Sequence, residues 1–191
     1  MPDRKKAALA IESFLRAIGR DEEKEPELKG TGERVANAFL DELCSGYTVD
    51  VSALLNSHRI AAARSEPNES AAVLVRDVTI STTCPHHLMP AMGTATVAFE
   101  PNDSVVGLGA VVETLHAFAH RLTLQEEIAE NVTRALFESL APKWVAIRLV
   151  LSHGCMTARG ERKHGALVEV VRIKGDRADL PEIHRLLGVS A

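Results

Sequence analysis

Two short stretches of this 191-residue chain gather the side chains best able to do chemistry: Cys84-Pro85-His86-His87, and His153-Gly154-Cys155 much further along. Two of the chain's three cysteines lie in them. Thiolate sulfur and neutral imidazole nitrogen are donors that Zn²⁺ prefers. Three protein ligands leave a coordination position for water, which is the catalytic rather than the structural arrangement. Cys84 and His87 share a loop held open by Pro85, so their side chains can converge on one point. His153 and Cys155 stand two residues apart at the end of an extended run, on one face of a strand. The first reading is a zinc hydrolase. Spacing alone leaves a rival open, because C-x-x-H with one distant Cys is less specific than paired C-x-x-C motifs. That rival is a disulfide between Cys84 and Cys155, which is disfavoured where no secretory signal is seen, since cytosolic disulfides are rare. Cys44, inside a helical pattern, reads as a small buried hydrophobe.

The composition suits a soluble globular protein: 46% hydrophobic and 25% charged residues. A formal net charge of -4 gives no electrostatic reason to expect nucleic acid as a partner. No apolar run approaches the length of a membrane span. The basic start, Met1-Pro2-Asp3-Arg4-Lys5-Lys6, leads into an apolar stretch broken at Glu12, which reads as an amphipathic helix rather than a secretory signal. A cytoplasmic protein is expected.

The elements that must position the two clusters follow from periodicity. Helical spacing covers about residues 4–18 and 31–43, with a charged linker at 21–29 and an exposed loop over 56–70. The pattern then turns β-branched and extended from Val73 to Thr82 and again from Thr94 to Phe99. Helical spacing returns over 109–120 and 124–140, and Pro142 ends it. Strands are predicted for Trp144–Ser152 and Ala166–Lys174, then a short helix for Pro181–Leu187. The fold class is α+β: an N-terminal helical extension, residues 1–70, and a catalytic domain, residues 71–191, of order β-β-α-α-β-β. That order builds a four-stranded antiparallel sheet with two helices on one face. Its free edges invite cover by another subunit, so a homo-oligomer is expected.

Four motifs in register make the pattern specific. Ser81–Leu88, Gly93–Phe99, Arg121-Leu122-Thr123-Leu124-Gln125-Glu126 and Ser152–Gly160 resemble GTP cyclohydrolase I, and the resemblance runs from about Thr31 to Gly188. It implies the tunnelling fold, assembled in that family as two stacked pentameric rings with active sites at subunit interfaces. It also implies Cys84, His87 and Cys155 as zinc ligands, and His86 and His153 as the histidines that move protons. The family's reaction starts with hydrolytic attack at C8 of the guanine imidazole ring, releases formate and ends in dihydroneopterin triphosphate. Gln125 and Glu126 match the pair that reads the guanine edge, although Thr123-x-x-Glu126 is also a capping box for the helix that starts there. Arg159 matches an arginine that contacts phosphate.

One segment departs from the family. Where it carries Gly-Leu-Ser-Lys and, three residues later, Arg for the ribose and triphosphate, this chain has Gly107-Leu108-Gly109-Ala110 and then Glu113. A carboxylate beside a triphosphate in a partly dehydrated pocket would be repelled and would forfeit charge-assisted hydrogen bonds. Arg162, Lys163 and His164 read as a solvated basic loop, with a replacement anion site as the alternative. The expected activity is therefore imidazole-ring opening of a guanine-type purine without the triphosphate. The alternatives are an ordinary GTP cyclohydrolase I and a non-catalytic ring protein that binds a purine or pterin. Zinc serving only as a structural staple is a further one, and it would make the fold depend on the metal.

Overall fold

The computed structural model describes residues 2–62, 71–159, 162, 164–176 and 180–189. The chain divides into two compact units, Met1–Ser45 and Gly46–Ala191.

In the first unit, helix α1 spans Arg4–Ala17 and is capped by the Asp3 carboxylate, which accepts from the Lys6 N–H at 3.0 Å. Helix α2, Thr31–Asn37, continues as a π-helical turn over Ala38–Leu43, so the single helix expected over 31–43 changes its winding midway. Gly32 lets the two helices touch, because a Cβ there would stand 2.5 Å from the Ala8 carbonyl oxygen. Arg4 pairs with Asp41 at 2.6 Å across the same contact.

The second unit begins with a helix the sequence reading missed, α3 (Val51–Ser57), capped by Asp50. Strand β1 (Arg59–Ala61) follows, and residues 63–70 of the expected loop lie outside the described residues. The main sheet is built from β2 (Val73–Thr83), β3 (Pro90–Glu100), β5 (Trp144–His153) and β6 (Val168–Gly175), in the order β2-β3-β5-β6 and antiparallel throughout. Between the two hairpins come β4 (Ser104–Val106), paired with β1, and helices α4 (Leu108–Ala119) and α5 (Gln125–Leu140). A one-turn helix α6 (Gly154–Thr157) follows β5, and α7 (Leu180–Leu187) closes the chain. This is the β-β-α-α-β-β tunnelling-fold unit that the resemblance implied.

Alternation along the strands decides which face is covered by what. Ala91, Ala95, Val97 and Phe99 of β3 join Ile147, Leu149 and Leu151 of β5 in a core against Val111 and Leu115 of α4 and Ile128, Val132, Leu136 and Leu140 of α5. Ala98, Trp144 and Ala146 face the other way and bury Ile183 and Leu187 of α7. The two-helix face is as expected, and the opposite face is covered in part as well. Strands β2 and β6 remain the sheet's edges within the chain.

Candidate active site and metal centre

Three chain segments meet at one end of the sheet. The first is the β2–β3 hairpin loop, Cys84–Met89. It is closed by two backbone hydrogen bonds, from the Cys84 N–H to the Met89 carbonyl and from the Leu88 N–H to the Cys84 carbonyl, each 2.9 Å. Leu88 takes a left-handed φ of 51° to make that closure. The loop thus holds Cys84 and His87 on one side, with Cys84 Sγ 3.9 Å from His87 Nδ1.

The second segment is the end of β5. His153 pairs with Ala91 at the start of β3, directly beside the loop. The chain then turns into α6, which presents Cys155. Gly154 permits that turn, since a Cβ would stand 2.8 Å from the Pro90 carbonyl oxygen. The third is the start of α5, brought in by an isolated bridge between Thr83 and Leu122 and by the Thr123 N–H donating to the Thr83 carbonyl at 3.3 Å.

Ligand atoms of Cys84, His87 and Cys155 all lie within 4.8 Å of one another. A sulfur and a nitrogen bound to one tetrahedral zinc at about 2.3 and 2.05 Å are about 3.6 Å apart, so the 3.9 Å between Cys84 and His87 is close to a tetrahedral edge. The donor set fits the ion chemically too. Burial and the neighbouring Cys84 thiol push the Cys155 pKa up, a cost that a cation between the two sulfurs would remove. All three cysteines, Cys44 included, are free thiols, so Cys84 and Cys155 are not joined as the rival reading had it.

Beside the donors lies a cavity of about 200 Å³, lined by Thr82, Cys84, His86, His87, Ala91, Thr123, Leu124, Gln125, Glu126, His153 and Cys155. Every chemically marked residue of the two clusters and the α5 start therefore borders one space. Burial holds the His153 pKa below the ordinary histidine value, and the nearby Glu126 carboxylate opposes that shift.

At the start of α5 one side chain caps the helix, one borders the cavity and one is buried. The capping carboxylate is Glu127, not Glu126: its Oε2 accepts from the Leu124 N–H at 3.1 Å and from the Thr123 hydroxyl at 2.8 Å. The reason is one residue of register, since the helix starts at Gln125 and its third position is 127. Glu126 is exposed on the cavity wall and is released from the capping role. Gln125, expected on the guanine edge, is 3% exposed. Its side chain binds the Leu149 and Val168 carbonyls and His153.

The anion-contact positions are elsewhere. Gly109 and Glu113 are exposed on the first turns of α4, and Ala110 is 3% exposed and packs into the core. None of the three lines the cavity, nor does the exposed Arg159. Arg162 and His164 are also exposed, and Lys163 lies outside the described residues.

An antiparallel β-β-α-α-β-β unit with a Cys-His-Cys cluster beside a small cavity defines a tunnelling-fold protein with a candidate metal centre. Comparison with known proteins gives the family. The profile of the GTP cyclohydrolase I family matches residues 7–185, and the chain belongs to that family. It is 36% identical over 156 residues to "GTP cyclohydrolase 1" of Leptospira biflexa, covering 82% of this chain and 81% of that protein. It is 35% identical to the protein of the same name from Streptococcus agalactiae, covering 98% of each. Among solved structures, the apo form of the archaeosine synthase QueF-Like aligns with a TM-score of 0.43 at 16% identity, covering 58% of this chain and 98% of that one. Among the described residues, no helix is long and apolar enough to cross a membrane.

Proposed function

We propose that this cyclohydrolase-family protein is a zinc-dependent hydrolase that opens the imidazole ring of a guanine-type purine at C8, and that its substrate is a base, nucleoside or modified base without a triphosphate. The observation that carries this reading is the convergence of Cys84, His87 and Cys155 on one point beside a cavity that also holds His86, His153 and Glu126. Cys84, His87 and Cys155 would hold the ion. When bound, it would supply Lewis acidity and a water acidified toward neutral pH.

The remaining roles fall to this chain's own groups. The Glu126 carboxylate, exposed on the cavity wall, can accept from the N1–H and 2-amino groups of a guanine together, a pattern adenine cannot offer. His86 and His153 border the same space and would give a proton to a ring nitrogen as its bond to C8 breaks. The cavity of about 200 Å³ suits a base, being smaller than the roughly 300–1,000 Å³ of pockets that enclose drug-sized ligands. Arg159 would serve any anionic substituent from the rim. The assembly would be a homo-oligomeric ring working in the cytoplasm, its free strand edges β2 and β6 covered by neighbours.

A second reading, in keeping with relatives named "GTP cyclohydrolase 1", is conversion of GTP itself to dihydroneopterin triphosphate and formate. One experiment separates the two. Zinc-loaded protein is offered GTP, guanosine, guanine and 8-oxidised purines, and products are followed by mass spectrometry and ultraviolet absorbance. The proposal expects a ring-opened product from a smaller purine. Efficient conversion of GTP with nothing from the others rejects the altered substrate and leaves the second reading.

A further inference from the structure

Gln125 is buried beside the cavity, yet its whole amide is committed inward. Nε2 donates one hydrogen to the Leu149 carbonyl of β5 at 3.1 Å and the other to the Val168 carbonyl at the head of β6 at 3.0 Å. An amide nitrogen has two hydrogens, so both are used and the amide's orientation is set. The remaining atom, Oε1, faces His153 Nε2 at 2.8 Å. An amide oxygen only accepts, so the imidazole nitrogen opposite it must carry the hydrogen.

We propose that Gln125 is a positioning residue for His153: by accepting from Nε2–H it holds the neutral ring in the tautomer whose lone pair is on Nδ1. The proposal rests on the reading of His153 as a proton-moving group. Nδ1 has no hydrogen-bond partner among the described residues, which leaves it as the nitrogen that meets a substrate. The anchor is stiff because the same amide bridges β5 and β6, and Leu151 pairs with Val168 at the last rung of that ladder. It therefore ties the first residue of α5, the end of the sheet and the ring into one unit. A neutral amide sets tautomer and orientation without placing a negative charge behind the imidazole, unlike the carboxylate of a hydrolase triad. The structure thus moves Gln125 from reading the base to aiming the group that handles its proton.

The test has a spectroscopic and a kinetic arm. The full zinc-loaded chain, labelled with ¹⁵N-histidine, is studied by solid-state NMR at mildly alkaline pH, with His153 identified by the signals lost in His153→Gln. A protonated Nε2 and bare Nδ1 are expected, and Gln125→Met should abolish that fixed pattern. A proton on Nδ1 in the parent protein, or an unchanged His153 spectrum in Gln125→Met, overturns the proposal. Should Gln125→Met fail to fold, the parent spectrum decides alone. In kinetics with guanosine, Gln125→Met should lower kcat about 10- to 100-fold with KM nearly unchanged, and should add nothing when His153 is already glutamine. Equal losses in both backgrounds mean a purely structural glutamine and contradict the proposal. If the parent protein leaves guanosine untouched, the proposed substrate is what fails, and the spectrum still judges Gln125.

Discussion

The two ends of helix pair α4–α5 that matter for function are built very differently. At the start of α5 every position has work: Thr123 and Leu124 engage Glu127, Gln125 binds two carbonyls and His153, and Glu126 stands on the cavity wall. The start of α4 offers no side-chain cap at Gly107, no hydroxyl at Gly109, a buried methyl at Ala110 and an exposed carboxylate at Glu113. One helix start gathers hydrogen-bonding and acidic groups beside the cavity. The other lacks what would hold a chain of phosphates, and Ala110 shows why this is more than an exchanged surface residue. With 3% exposure and core contacts, its methyl packs among apolar neighbours and offers nothing to an anion.

The largest effect is expected at the metal end of this contrast. Cys155→Ala should remove zinc and all measurable turnover while far-ultraviolet circular dichroism stays near the parent's, because the core of the second unit is built from other residues. Unfolding on loss of the metal would instead make the ion a staple. Next come the histidines. His86→Ala should keep zinc and lower kcat by about 10²- to 10⁴-fold, and retention of full activity would remove it from the mechanism.

Two adjacent glutamates sharpen the comparison further. Glu126→Ala should raise KM about 10- to 100-fold, the worth of hydrogen bonds to one charged group, with little change in melting temperature. Glu127→Ala should do the reverse, costing about 1 kcal/mol as a lost cap and leaving KM alone. Its pH dependence has a definite sign. The Leu124 N–H and the Thr123 hydroxyl hold the Glu127 pKa below the ordinary glutamate value, so its contribution is full above that value and fades as pH falls through the lowered one. Urea melts of the parent and Glu127→Ala should therefore converge in acid, and a constant gap would refute this account of the cap. The smallest effect is expected at the bare helix start. Glu113→Arg with Gly109→Ser, where open space surrounds the glycine, should improve GTP use relative to guanosine by roughly tenfold, the value of one charge-assisted contact. No gain would mean that this surface never faces substrate.

Much of this was legible in the sequence, for identifiable reasons. The strands were marked by β-branched, extended runs and the two long helices by sustained helical spacing, and the candidate metal donors by rare residue types in tight spacing. For Gln125 the motif position showed only a residue bordering the site, because its hydrogen bonds depend on the Leu149 and Val168 carbonyls brought there by strands far along the chain. The capping carboxylate is Glu127 rather than the Glu126 that the Thr123-x-x-Glu126 pattern offered, a difference of a single residue of helix register. Helix α3 escaped because seven residues give too little periodicity to read.

The central claim is ring opening without the triphosphate, and a competition between equal concentrations of guanosine and GTP on the zinc-loaded protein tests it most directly. Mass spectrometry should show guanosine gaining one water, or its formamide hydrolysed with release of formate, while GTP persists. Consumption of GTP to a pterin triphosphate with guanosine intact would contradict the account.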